Sequence, residues 1–379
     1  MNRKDKSLGS LFSPKPRPRI LRVVGQNGGG VAEYIRQVDS FLTNYLDIDI
    51  LVKPSKFTCT KLITRGNYYS SFSLLSFSSL VRSFLKRPKP IFVHSHLRNA
   101  ICFAGFFSGV LGIPHVVTLH GPLHAGMETI RDKAINRVTG FFLRRAHLVI
   151  CVSDFVKNLA ISQAGLRHGD IPNVCVVYNG SDFPSHPFPM TLGRDLNVCI
   201  AGELSKRKGI DDLIWILRRF KNKENLLGIR FHVYGWGPFG ELLKTMELDG
   251  FPIFLRGATS DTNEIFFGKQ LHLILSKEEG FGRVVTEAMA RGIPTVCYSR
   301  GAFPEILTND HDGFLCSSRF EIAAKLIYIK MHPEILLASA KHARQTFLNR
   351  FSSERFLHET ISSINSALPG IFLPVHRSI

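Results

Sequence analysis

Apolar residues in the first half of this 379-residue chain fall in short β-branched runs separated by stretches of helical period. Residues 19–24 (RILRVV), 47–52 (DIDILV), 90–96 (PIFVHSH), 115–120 (HVVTLH), 147–153 (HLVICVS) and 174–180 (VCVVYNG) read as strands. Residues 31–46 (VAEYIRQVDSFLTNYL) and the intervals after 96 and 120 read as helices. This order predicts a parallel sheet with helices on both faces. A Pro-rich stretch, 181–190 (SDFPSHPFPM), then interrupts the pattern and reads as a linker. The alternation restarts with strands at 196–202, 229–235, 251–257, 271–276 and 293–299, one helix ending near Lys221 and another over Val284–Arg291. Helical segments from Phe320 to about Ser363 close the chain. The expectation is α/β throughout, in two domains. Ligands of such sheets bind beyond the carboxyl ends of the strands, so two facing domains enclose one cleft and the chemistry should lie just after strands.

The length suits two separate cores. A formal net charge of +18 implies an anionic partner. No helix-turn-helix, RNA-binding sheet motif or zinc finger is present, which points away from nucleic acid and toward a membrane surface or a phosphorylated ligand. The seven cysteines are widely spaced, without a CxxC pair, as buried thiols of a reducing cytosol would be. Residues 1–18 are basic and lack the apolar core of a signal peptide, so a disordered cytoplasmic arm is expected. The longest uncharged stretch, Asn99–Leu119, is broken by Gly105, Gly109, Gly112 and Pro114 and reads as a buried helix followed by a buried strand.

Glu279 and Glu287 flank GFGRVVT directly after a strand, with Gly280 and Gly282 at its mouth and a helix starting near Gly282 or Arg283. Bare amides at such a start can hold an anion, and carboxylates accept hydrogen bonds from sugar or ribose hydroxyls. Two acids at a helix start are equally consistent with solvated dipole partners. Gly28, Gly29 and Gly30 also lie between strand and helix. They fit either a close approach to phosphate or a tight turn, and they do not complete a dinucleotide fingerprint. His120 ends a strand, so its ring should reach the cleft mouth. His94 and His96 have no partners at metal spacing and read as residues lining the cleft wall. Asp47 and Asp49 alternate with Leu46, Ile48 and Ile50 and are expected on the solvent face of a strand, a DxD without a metal.

The run from Leu271 to Leu315 resembles the signature of the family-4 glycosyltransferases, retaining enzymes of GT-B fold. Matches continue in NGGGVAEYI (27–35), VHSH (93–96), TLHG (118–121), VICVSDF (149–155), VVYNGSD (176–182), AGELSKRKG (201–209) and FHVYGWGP (231–238). The resemblance implies two Rossmann-like domains with parallel sheets facing across a cleft, and a nucleotide-sugar donor as substrate. It gives Glu279 to the donor sugar, Glu287 to the ribose, and the backbone of Gly282, Arg283 and Val284, with Gly280 and Phe281 beside it, to the phosphates or sugar. Gly29, Gly30 and Gly202 would line the same donor. His120 would contact the sugar near the reacting carbon, and Lys208 would stabilise the leaving diphosphate electrostatically, without a metal or other cofactor. The implied mechanism is a front-face displacement in which the leaving phosphate helps deprotonate the acceptor. One position departs from the family, which usually has Arg where this chain has Glu203; Lys206 or Arg207 would have to supply the second cation, or turnover is weakened.

The segment 71–89 mixes Phe and Leu with Arg82, Lys86, Arg87 and Lys89, and Lys61 and Arg65 extend it. It fits an amphipathic surface on anionic lipid, and equally a core-facing helix with a basic edge. The expected organisation is an acceptor domain over 19–188 and a donor domain over 189–350. Residues 351–379 would hold a last helix near 352–366, which crosses back to the first domain in relatives. The expected enzyme moves one sugar from a UDP- or GDP-sugar to a cell-surface glycan or lipid-linked acceptor, in lipopolysaccharide, capsule or exopolysaccharide assembly. It would work peripherally at the inner face of the cytoplasmic membrane. A non-catalytic nucleotide-sugar-binding subunit is the alternative that Glu203 raises. The chain is far shorter than the phosphorolytic GT-B enzymes that need pyridoxal phosphate.

Overall fold

A computed structural model describes residues 17–25, 29–52, 68–69, 88–124, 129–220, 228–371 and 373–374. The first domain contains β1 (Arg19–Val24), α1 (Gly29–Leu42), β2 (Asp47–Val52), β3 (Tyr68–Tyr69), β4 (Val93–His96), α2 (Arg98–Leu111), β5 (His115–Leu119), α3 (Ile130–Arg145), β6 (Leu148–Cys151), α4 (Asp154–Gln163) and β7 (Val174–Val176). Its strands are parallel, in the order β3-β2-β1-β4-β5-β6-β7. The second contains β8 (Leu196–Ala201), α5 (Ile210–Phe220), β9 (Ile229–Tyr234), α6 (Gly240–Leu248), β10 (Ile253–Gly257), α7 (Thr262–Phe266), β11 (Leu271–Ile274), α8 (Arg283–Met289), β12 (Thr295–Tyr298), α9 (Phe303–Ile306) and β13 (Phe314–Cys316). Here too the strands are parallel, ordered β10-β9-β8-β11-β12-β13. These are the two Rossmann-like sheets that the alternating pattern predicts. Strand order reverses at β1/β4 and at β8/β11, the two points where such sheets open a crevice for ligand.

Three further helices, α10 (Arg319–Met331), α11 (Ile335–Arg350) and α12 (Ser353–Ala367), complete the chain. The last returns to the first domain, where Phe356, Ile361 and Ile364 join Ile20, Val24, Tyr34 and Ile150 in one core. Each such side chain, fully withdrawn from water, contributes about 1.5–3 kcal/mol. A second apolar cluster runs between the domains, with Val117, Leu119 and Val156 on one side and Phe281, Val285 and Phe303 on the other. The uncharged stretch forms α2 and β5, and among the described residues no helix is long and apolar enough to cross a membrane.

Two expectations about side-chain direction are corrected. Asp49 is fully buried, not on a solvent face, because β2 lies inside the sheet and both its faces are covered; its carboxylate accepts from Arg19 Nη1 at 3.0 Å. His94 and His96 are likewise buried behind the cleft and do not line its wall. Helix α1 starts two residues earlier than its apolar period suggests, at Gly29, whose φ of +53° is a left-handed value that glycine adopts readily.

Candidate active site

A cavity of about 730 Å³ opens between the carboxyl ends of the two sheets. The loop after β11 enters it packed against the opposite domain. A Cβ on Gly280 would stand 2.5 Å from the carbonyl oxygen of His120, and Ser153 Oγ donates to the Gly280 carbonyl at 2.6 Å. Gly282, with φ +82°, caps α8 in the left-handed region, where a Cβ would also strike the Phe303 ring. Glycines at 280 and 282 are therefore required by contact and by conformation. They hold Glu279 at the cavity edge, its main-chain oxygen accepting from Ala302 N at 3.1 Å.

Lys208 reaches the same edge from the tight turn before α5, and its ammonium donates to Glu279 Oε1 in a largely buried ion pair. One helical turn into α8, Glu287 lines the cavity beside Arg283, whose Nε lies 3.9 Å from its carboxylate. Burial raises the Glu287 pKa, against the opposing pull of Arg283 and Arg291. Arg283 Nη1 donates to the Gly180 carbonyl at 3.0 Å and Nη2 lies 3.7 Å from Glu33, so this guanidinium bridges the domains. Glu33 in turn pairs with Arg36, which also meets Asp182 at 3.2 Å. His120 lines the cavity with Nε2 turned inward, 3.0 Å from His96 Nδ1. Burial, with lesser help from Arg283 and Arg22, lowers its pKa to about 3, so the ring is neutral. Each lining cation thus faces a carboxylate. A ligand carrying both hydroxyls and phosphate can exchange with such pairs, hydroxyls donating to the carboxylates and phosphate accepting from the cations.

The structure brings together His120, Lys208, Glu279, Glu287, Gly29, Gly30, Gly202, Gly280, Phe281, Gly282, Arg283 and Val284 on one cavity surface. Arg207 is not among them. It points outward, exposed, with Nη2 3.3 Å from Glu203, so the unusual acid is met by its neighbour and neither group lines the cavity. Arg82, Lys86 and Arg87 lie outside the described residues, as do Gly28, Lys61 and Arg65. Several lining groups were not singled out from the sequence: Glu33 and Arg36 on the first turns of α1, Asn179, Ser181 and Asp182 after β7, and Thr259, Ser260 and Thr262 after β10. Their one sequence signal is position, since each group follows a strand at its carboxyl end.

Two family models match the chain: Glycosyltransferase Family 4 over residues 49–183 and Glycosyl transferases group 1 over residues 195–330. The N-acetyl-alpha-D-glucosaminyl L-malate synthase of Bacillus anthracis is 30% identical over 327 residues, 78% of this chain and 81% of its own length. Among solved structures, Anabaena HepE in complex with UDP superposes with a TM-score of 0.76 at 19% identity, over 92% of this chain and 100% of its own. The lipopolysaccharide outer core galactosyltransferase WaaB, in its apo form, gives a TM-score of 0.68 at 17% identity, over 92% and 99% of the two chains. These structural likenesses carry the fold, which is GT-B.

Proposed function

We propose, from the premise that this chain belongs to glycosyltransferase family 4 and is a glycosyltransferase of GT-B fold, that it moves one sugar from a UDP- or GDP-sugar to a cell-surface glycan or lipid-linked acceptor, with retention of anomeric configuration. The observation that carries this reading is the convergence of Lys208, Glu279, Glu287, Arg283 and His120 on one interdomain cavity. HepE has been solved with UDP and with UDP-glucose, which supports a nucleotide-sugar donor, and the lipopolysaccharide enzyme WaaB supports a surface glycan as acceptor class.

In this account Glu287 accepts from the ribose hydroxyls and Glu279 from hydroxyls of the sugar. His120 meets the sugar near the reacting carbon. The bond between the anomeric carbon and the donor phosphate oxygen breaks, and the acceptor oxygen bonds to the same face. The acceptor proton passes to the departing phosphate. Charge grows on the diphosphate as this happens, and Lys208 stabilises it where water is largely excluded. The main-chain amides at Gly282, Arg283 and Val284 add donors at the same end. Work at the inner face of an anionic membrane, through the basic segment 71–89, belongs to the same proposal.

The test is turnover across a panel of UDP- and GDP-sugars with a membrane-lipid extract as acceptor, followed by NMR of the new linkage. Transfer from one donor series with the donor's anomeric configuration retained is expected. Binding of a nucleotide sugar without turnover, unaffected by Glu287→Ala, would overturn the reading.

A further inference from the structure

Arg22 lies wholly buried in β1, outside the cavity lining, and takes no part in the roles given above. Its Nη2 pairs with the buried carboxylate of Asp39, while Nη1 contacts His94 Nδ1 and stands 3.4 Å from His96 Nε2. A guanidinium has donors and no acceptor, so both of those ring nitrogens must be the bare, accepting ones. Burial, with the neighbouring Arg22 charge contributing, holds His94 and His96 neutral, so each ring carries its single hydrogen on the other nitrogen. In His94 that is Nε2, which donates to Thr118 Oγ1 at 2.7 Å. In His96 it is Nδ1, which donates to His120 Nε2 at 3.0 Å. His120, accepting at Nε2 and itself neutral, then carries its hydrogen on Nδ1. With Nε2 taken inward, Nδ1 is the nitrogen this cavity-lining ring keeps for a ligand, and Tyr34 stands edge-on to the ring at 4.8 Å between centroids.

We infer that Arg22 is a positioning residue: acting through His96, it fixes His120 in the Nδ1–H tautomer, so that the cleft meets a hydrogen-bond donor at this position and not a base. The consequence for the reaction rests on the proposed contact of His120 with the donor sugar. There the Nδ1–H donates to an oxygen lone pair of the substrate, and the acceptor's proton must go elsewhere, consistent with its passage to the departing phosphate. A guanidinium offers donors and no acceptor, so the polarity of the chain of imidazoles is set from its Arg22 end.

The experiment is NMR of the full chain carrying ¹⁵N-labelled histidine, near neutral pH, with the His120 ring identified by its loss in His120→Ala. Protonated Nδ1 and bare Nε2 are expected in the unsubstituted protein; the Nε2–H form there would overturn the inference without any variant. His96→Leu removes the inward donor and is expected to release His120 into a mixture of tautomers. It should lower kcat about tenfold, the scale of one misaligned hydrogen bond, with donor KM nearly unchanged. His96→Asn, whose amide stands near the former Nδ1–H, should recover most of both. The double variant Arg22→Met/Asp39→Leu removes the two buried charges together and should release the tautomer as His96→Leu does. An unchanged His120 tautomer in either folded variant would overturn the inference. A protein with the Nδ1–H tautomer but no transfer activity would count against the transferase roles and leave this inference standing.

Discussion

Lys208 and Glu279 neutralise each other at one edge of the cavity, so a donor diphosphate has to draw the ammonium away from the carboxylate. Replacing the acid separates two effects. Glu279→Gln is expected to tighten UDP binding about threefold, because a negative charge leaves the diphosphate's surroundings, yet to lower transfer at least tenfold, because the sugar loses its charged acceptor. Calorimetric titration of UDP beside initial rates would read both, and a parallel loss of both would contradict the assignment. Glu287 behaves differently, since burial raises its pKa. A group whose folded pKa is raised favours the fold below its unfolded pKa, and that contribution is lost as pH rises through the folded value. Glu287→Gln, fixed in the uncharged form, should therefore unfold at a higher temperature than the parent at pH 7 and at a similar temperature near pH 4. Its donor affinity should fall about tenfold through the ribose contact. The two acids were legible in sequence because glycines and a strand end surround them. Lys208 was placed there by the family resemblance, but whether Lys206 or Arg207 joins it was not legible, because a tight turn aims successive side chains in unrelated directions; neither lines the cavity. Arg22 and its histidines were invisible as a unit, since their partners come from β1, α1, β4 and β5.

Elements carry the domain contact. Glu305 on α9 accepts from the amides of Asp154 at 2.8 Å and Phe155 at 2.6 Å, so a carboxylate of the second domain satisfies the start of α4 in the first. Glu305→Ala is expected to cost about 1–2 kcal/mol, seen as a lower unfolding temperature and as faster amide exchange in the first turn of α4. Normal protection there would remove the carboxylate from that role. The basic segment 71–89 belongs to this scale as well, though Arg82, Lys86 and Arg87 lie outside the described residues. Sedimentation with liposomes should require anionic lipid, weaken with salt and decline when those three are neutralised. Undiminished binding by the triple variant would exclude the segment. Long elements were readable from their apolar runs, as β1, β2 and β5 illustrate. The four- and five-residue helices α7 and α9 were not, because a single turn carries no period. Asp49 misled for a related reason: alternation marks a half-solvated strand only at a sheet with an open face, and β2 has none.

At the scale of the whole molecule, buried neutral histidines tie the fold to pH. His94 and His96 lie well below their ordinary pKa, and His115, His120 and His272 are each lowered to about 3, burial being the first cause in all five. Their folded pKa values are depressed, so unfolding takes up protons below the unfolded value of 6.5; stability is present above that pH and lost as pH falls toward 3. Each histidine adds a slope of about 1.4 kcal/mol per pH unit in that window. Denaturation followed between pH 7.5 and 5 should show an uptake of several protons, whereas a flat profile would mean that these rings are hydrated. The two-domain architecture was legible because the alternation of strand and helix restarts after the Pro-rich stretch. How the domains close was not, because it depends on contacts such as Gly280 against His120, which no local pattern announces.

The central claim is that a nucleotide-sugar donor lies in the interdomain cavity with Lys208 against its diphosphate. Calorimetric titration of UDP into the parent, Lys208→Ala and Arg207→Ala proteins tests it most directly. Lys208→Ala should lose about 10–100-fold in affinity, the scale of a charge-assisted hydrogen bond, while Arg207→Ala stays within about twofold. Greater loss at Arg207 than at Lys208 would contradict the account.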